Sequence, residues 1–294
     1  MTELPVIFGS GGRLVGTLTL PAENTSKKVA LLLCNAGVIH RIGPHRINVK
    51  LARSVAAQGV AVFRFDLSGQ GDSGASTQSA SFEDQAVLDI RAAMDCVQRT
   101  TGVKAFAMAG ICSGAHHSLA AALLDPRLVA LWMLDGYTYS TRTTTLVRIQ
   151  WQLRHRPVAT LIGWAMRPAS MLSRRMARSI LAAQDDAASL NDGSHPTPPK
   201  QAFAGMIQAL VDRGVKLRLA YSGNQIWRYN YPDQFRDAFA GHGFINKLRC
   251  DYLPEVDHTV TSLNAQRQVT ASITDWIRSL DSISETTKQP AMAG

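Results

Sequence analysis

KAFAMAGICSGAHHSLAAALL, residues 104–124, sets a strand, a tight turn and a helix in immediate succession. The apolar run 105–109 has the length and unbroken hydrophobicity of a buried strand, and it runs into Gly110-Ile111-Cys112-Ser113-Gly114. Leu119, Leu123 and Leu124 then recur at helical spacing. A side chain at the apex of such a turn sits in strained backbone at the carboxyl end of the strand, where a Cβ on either flanking residue would meet neighbouring backbone. The spacing is that of a nucleophile elbow, with cysteine where serine more often stands. Centring it on Ser113 would put Ile111 and Ala115 at the glycine positions. Cys112 is therefore the candidate nucleophile and Ser113 a candidate backbone N–H donor. The competing reading is a buried, inert structural cysteine on an ordinary strand-to-helix turn.

Outward from this unit the same alternation repeats. Runs 4–8 and 13–20, separated by Gly9-Ser10-Gly11-Gly12, read as an opening hairpin. Apolar strands are expected at 29–34 and 60–65, with a helix at 47–58 between them and an amphipathic helix at 82–100 after them. The strand at 128–134 ends at Asp135-Gly136. Beyond the break at 137–200 come a helix at 201–212, a strand at 216–221, a helix at 232–240, a strand at 247–253 and a last helix at 263–280. Nearly all-apolar strands alternating with helices indicate a mostly parallel sheet covered on both faces. The expected division is a core in two parts, 1–136 and 201–281, an inserted basic helical cap at 137–200, and a frayed tail at 282–294.

The chain has 294 residues, enough for one large core with a lid, and a net charge of +9. Much of that excess is local: no acidic residue falls between Asp135 and Asp185, while Arg142, Arg148, Arg154, Arg156, Arg167, Arg174, Arg175 and Arg178 do. Such a segment could meet an anionic substrate carrier, an acidic partner or a membrane surface, or could be only a solvated basic face. No recognised nucleic-acid motif accompanies it, so nucleic acid is not an expected partner. No apolar run approaches the roughly 18 residues of a membrane span. The start, MTELPVIFGSGG, lacks the pattern of a secretory signal, and Cys34, Cys96, Cys112 and Cys250 have no paired spacing. A cytoplasmic location is the expectation. Neither metal-ligand spacing nor a phosphate-binding glycine loop appears, so no metal and no cofactor are expected.

FDLSGQGDSG at 65–74, GICSGA at 110–115 and the late Asp257-His258-Thr259 together resemble the α/β-hydrolase fold, in its serine-aminopeptidase-like branch, over roughly residues 4–280. The match is similar above all to hydrolases with a Gly-x-Cys-x-Gly-Ala elbow found beside polysaccharide and specialised-metabolite biosynthesis genes. Cysteine at the elbow also resembles dienelactone hydrolases and polyhydroxyalkanoate synthases. Those imply lactone opening in one case and acyl transfer from a thioester in the other.

Acyl transfer through a covalent intermediate needs a nucleophile, a base, a group that orients the base, and donors for the oxyanion. The helix beginning at Ser113 directs the positive end of its dipole at Cys112. His258, just beyond the last strand, is the expected base. The resemblance implies an acid after the strand 216–221, but the residues there are Ser222-Gly223-Asn224-Gln225. Asp135, ending the preceding strand, is the expected substitute, with Asn224 the alternative, as in Cys-His-Asn sites. Aligning Ala36-Gly37 with the family's usual His-Gly places the second oxyanion donor at Val38, beside Ser113. Asp66, Gly69, Gly71 and Asp72 read as architectural. His40, Arg41, His45 and Arg46 are candidates for substrate contact.

The expected function is therefore cysteine-dependent processing of a small-molecule acyl substrate, free or bound to CoA or a carrier protein, by hydrolysis or transfer through an acyl-Cys112 intermediate. One alternative is a lactone or ester hydrolase of a small carboxylate, with the anion held by His40, Arg41, His45 or Arg46. The other is a non-catalytic binding module that uses the basic cap.

Overall fold

A computed structural model describes residues 1–22, 28–34, 37–77, 80–157 and 197–281. Eight strands form one sheet: β1 (Thr2–Phe8), β2 (Leu14–Leu20), β3 (Val29–Leu33), β4 (Val62–Phe65), β5 (Ala105–Ile111), β6 (Leu128–Leu134), β7 (Lys216–Ser222) and β8 (Arg249–Leu253). Their spatial order is β1-β2-β4-β3-β5-β6-β7-β8, antiparallel across β1, β2 and β4 and parallel from β4 to β8. This is the α/β-hydrolase fold expected from the strand and helix pattern, with helices on both faces.

The all-apolar strands follow from that double cover. Leu31 and Leu33 of β3 join one core with Ile47, Leu51 and Val55 of α1 (Ile47–Ala56) and Val269, Ile273 and Ile277 of α7 (Leu263–Asp281). Ala30 and Leu32, one residue out of phase, join the other. That second core is completed by α2 (Phe82–Thr101), α3 (Ser113–Leu124) and α5 (Lys200–Asp212), through Ile90, Met94, Leu119, Phe203 and Ile207. Since successive strand side chains alternate faces, both faces must be apolar for the sheet to be buried. The start of α2 is capped as its sequence suggests, with Ser81 Oγ accepting from the Asp84 N–H at 3.1 Å.

Several elements are shorter than expected, the helix at 47–58 ending at Ala56 and the strand at 60–65 beginning at Val62. The helix at 232–240 contracts to α6 (Gln234–Ala238), and the strand at 247–253 begins at Arg249. Phe239 and Phe244 are both buried, and Gly241 at φ 89° turns the chain between them, so core packing overrides the local helical pattern. After β6, α4 (Arg142–His155) is capped reciprocally by Thr141 and Thr144. Most of the expected cap, 158–196, and the tail from 282 lie outside the described residues. Among the described residues no helix is long and apolar enough to cross a membrane.

Candidate active site

Parallel pairing brings the carboxyl ends of β3, β5, β6, β7 and β8 to one edge, with Leu33 beside Ala109, Ile111 beside Leu134, and Ser222 beside Leu253. The loops leaving those ends carry the candidate residues. Cys112 stands at φ 56°, ψ −120°, a conformation few side chains adopt, directly before α3. A Cβ on Gly110 would overlap the backbone of Gly114 and Ala115, so that glycine is required by the close approach of α3 to β5. The Cys112 carbonyl accepts from the N–H groups of Ala115 at 3.0 Å and His116 at 3.3 Å. The Ser113 N–H lies in the first helical turn, where no intrahelical acceptor exists.

Asp135 follows β6 at φ 52°, and its N–H continues the ladder to the Ala220 carbonyl at 2.9 Å. That backbone tie aims its buried carboxylate across the end of β7. Oδ1 accepts from the Ser222 N–H at 2.7 Å, and Oδ2 accepts from Ser222 Oγ at 2.6 Å and Gln225 Nε2 at 3.1 Å. The same Oδ2 lies 2.8 Å from His258 Nδ1, and Gln225 Nε2 lies 2.5 Å from that nitrogen. The imidazole also hydrogen-bonds Cys112. The Asp135 hydrogen bond and then the Cys112 one outweigh burial and push His258 up to about 10. At neutral pH the sulfur therefore faces an imidazolium, a setting that favours a reactive cysteine.

The loop bearing His258 is fastened at several points. Gly223 N–H donates to the Val256 carbonyl at 2.9 Å, and Gly223 lies so close to Pro254 that a Cβ there would overlap it. Asn224 Oδ1 accepts the His258 backbone N–H at 3.1 Å. Asn224 thus holds the loop, and it is Asp135 that meets the imidazole. Asp257 is brought down to about 2, because hydrogen bonds from Thr261 and Thr259 overcome the opposing effect of burial.

The expected anion contacts are differently disposed. Arg41 is clasped by the chain's own carboxylates: its N–H donates to Asp66 Oδ1 at 2.5 Å, and Nη1 pairs with Asp66 Oδ2 and, at 2.8 Å, with Asp72 Oδ2. His40 Nε2 lies 3.2 Å from Asp72 Oδ2. His40 and Arg41, the expected contacts for a substrate anion, are thus paired with the chain's own carboxylates. His40, Asp66 and Asp72 place three ligand-type atoms within 4.8 Å of one another, but the Arg41 guanidinium already supplies a cation there. His45 and Arg46 are exposed, at φ 49° and 60°, at the entry to α1. The Val38 side chain is 84% exposed, while the preceding Gly37 N–H donates to Ser113 Oγ at 2.7 Å.

The family model described as serine aminopeptidase, S33, matches residues 37–197, more than half of the chain. The chain belongs to the serine aminopeptidase family. Among solved structures it is similar to the proline iminopeptidase of Mycobacterium smegmatis, with 15% identity, a TM-score of 0.58, and coverage of 96% of this chain and 100% of that one. It is also similar to a Pyrococcus furiosus esterase, with 11% identity, a TM-score of 0.59, and coverage of 94% and 91%. A thermophilic esterase from Thermogutta terrifontis gives 16%, 0.54, and coverage of 96% and 100%. At these identities the likeness is one of fold. No protein of curated function matches the chain.

Within this serine aminopeptidase relative, sequence reasoning missed two members of the cluster, Ser222 and Gln225. The usable signal was a run of four polar or small residues, Ser222-Gly223-Asn224-Gln225, at the carboxyl end of a buried strand, where the family ordinarily carries its acid. That run supplies donors to a carboxylate presented by the neighbouring strand.

Proposed function

We propose that the protein is a cysteine-nucleophile acyl hydrolase or acyltransferase acting on a thioester or ester through an acyl-Cys112 intermediate. One observation carries the reading: the imidazole of His258 is shared between Cys112, at a strained strand-to-helix apex, and the buried carboxylate of Asp135. With Nδ1 facing Asp135, Nε2 is the nitrogen that serves the sulfur. The Cys112 thiolate attacks the acyl carbon, forming a C–S bond and an oxyanion that the N–H groups of Ser113 and Val38 accept. The carbonyl re-forms as the bond to the leaving thiolate or alkoxide breaks, and the imidazolium proton passes to that leaving group. Water or an acceptor, deprotonated by His258, then attacks the acyl carbon and releases the Cys112 thiolate.

Thioester use is supported by Arg142, Arg154 and Arg156, all exposed on or just after α4, in a segment without acidic residues. Such a face suits the phosphates of CoA or an acidic carrier protein, with 137–200 acting as a cap in a biosynthetic cytoplasmic enzyme. The small-carboxylate reading is weakened because Arg41 is already neutralised by Asp66 and Asp72.

Intact-protein mass after exposure to acyl-CoA thioesters, simple esters and lactones tests the proposal. An acyl-sized adduct on the native chain, absent from Cys112→Ala, is the expected result. No adduct and no consumed donor across the panel would sink it, and full function in Cys112→Ala would favour a binding role instead.

A further inference from the structure

Ser113 has two chemistries at one position. The residue is buried; its backbone N–H opens α3 beside the nucleophile, and its hydroxyl accepts the Gly37 N–H at 2.7 Å across 76 residues of chain. An elbow needs only the backbone of the residue after its apex, so the side-chain contact requires a separate account. The partner turn follows β3, the sheet neighbour of β5, and therefore hangs beside the elbow. Gly37 stands at φ 56°, and among the described residues nothing lies within 4 Å of where a Cβ would be, so the backbone conformation is what calls for glycine there. Val38, the expected second oxyanion donor, is the next residue in that turn and is 84% exposed.

We propose that Ser113 is a positioning residue whose Oγ fixes the turn at Gly37 and Val38 against the elbow, setting the distance between two oxyanion donors, its own N–H and that of Val38. The inference rests on the acyl-Cys112 reading. Oxyanion donors are effective only when they are already in place as charge develops, since a donor that must move during reaction loses much of its advantage. A hydrogen bond at 2.7 Å joins the segment carrying one donor to the residue that supplies the other. Removing the hydroxyl leaves both N–H groups in the chain but releases their mutual spacing. The loss should appear in the chemical step and not in the reactivity of the sulfur.

The test compares the full-length wild type with Ser113→Ala, Ser113→Thr and Cys112→Ala. Acylation by p-nitrophenyl acetate and butyrate is followed as a p-nitrophenolate burst, and Cys112 alkylation by iodoacetamide, which forms no oxyanion, is followed by mass. In Ser113→Ala, the acylation rate should fall about 10- to 100-fold with KM changed less than about threefold, while the alkylation rate stays within about twofold. Restoration by Ser113→Thr would add support. Acylation by Ser113→Ala at the wild-type rate overturns the inference alone, as does an equal loss in alkylation, which would mean that the hydroxyl acts on the thiol or the fold. A wild type without a Cys112-dependent burst overturns the acyl-enzyme reading and this inference with it.

Discussion

His258 Nδ1 lies 2.8 Å from Oδ2 of Asp135, which directly follows β6, one strand before the position where the family pattern would place an acid. The carboxylate is the largest cause of the raised basicity of His258, with burial acting against it. In Asp135→Asn, the first of these is removed, while the Cys112 hydrogen bond and burial remain and oppose each other. The imidazole of the wild type should titrate near 10 and stay protonated at neutral pH, whereas in Asp135→Asn the midpoint should move down toward the ordinary value of about 6.5. Histidine ring signals followed by NMR across this range would show it. Acyl turnover should fall by about three orders of magnitude, as expected when the base loses the group that sets its tautomer. A wild-type midpoint near 6.5 would remove the imidazolium from the site.

The strain at Cys112 predicts an unusual order of stabilities. In most settings glycine is less stabilising than alanine by up to about 1 kcal/mol, because it loses more backbone entropy on folding. At φ 56°, ψ −120°, alanine keeps the strain and glycine relieves it. Cys112→Gly should therefore be more stable to urea than Cys112→Ala, by about 1 kcal/mol. The reverse order would mean that the elbow conformation costs the chain little.

Much of this was legible in the sequence, for reasons of range. The elbow is a local pattern, and Cys112 is placed by its flanking glycines. The sheet is announced by buried runs such as VALLL at Val29–Leu33. His258 could be singled out because its loop follows the last strand. Pairings between loops were not legible, since no spacing rule connects Ser113 with Gly37 or Asp135 with Ser222 and Gln225. They arise because β3, β5, β6 and β7 are neighbours in space, a fact carried by topology and not by local period. The carboxylate partners of Arg41 were hidden for the same reason. The loops after β3 and β4 meet because those strands are adjacent, and only their meeting supplies Asp66 and Asp72 as its partners.

Gly223 is predicted to be intolerant of a side chain. A Cβ there would overlap Pro254, forcing apart the loops that carry Gln225 and His258. Gly223→Ala should lower the melting temperature by an amount corresponding to about 2 kcal/mol and reduce acyl turnover by disturbing His258, in keeping with the usual cost of overpacking. Gly136→Ala is the contrast, because its Cβ would only come within 3.7 Å of the Ala115 Cβ, an ordinary contact. That variant should remain within about 0.5 kcal/mol of the wild type in a urea titration. Equal destabilisation in both would contradict the argument from close approach.

Arg41 should prove a structural residue. Asp66 is fully buried, and Arg41 supplies both a backbone N–H and a guanidinium to it, while the same guanidinium holds Asp72 below the usual carboxylate range together with His40. Arg41→Ala would leave Asp66 buried without its counter-charge, a change that costs about 3 kcal/mol where it has been isolated. Arg41→Lys should recover only part of that, since a single ammonium cannot reproduce the planar array of guanidinium donors. Chemical denaturation of the two variants reads the stability directly. Were Arg41 instead a substrate receptor, Arg41→Ala would unfold like the wild type, and KM for carboxylate-bearing lactones would rise with KM for uncharged esters unchanged. The clasp predicts the opposite pattern: a large loss of stability, with no selective effect on anionic substrates at temperatures where the variant stays folded.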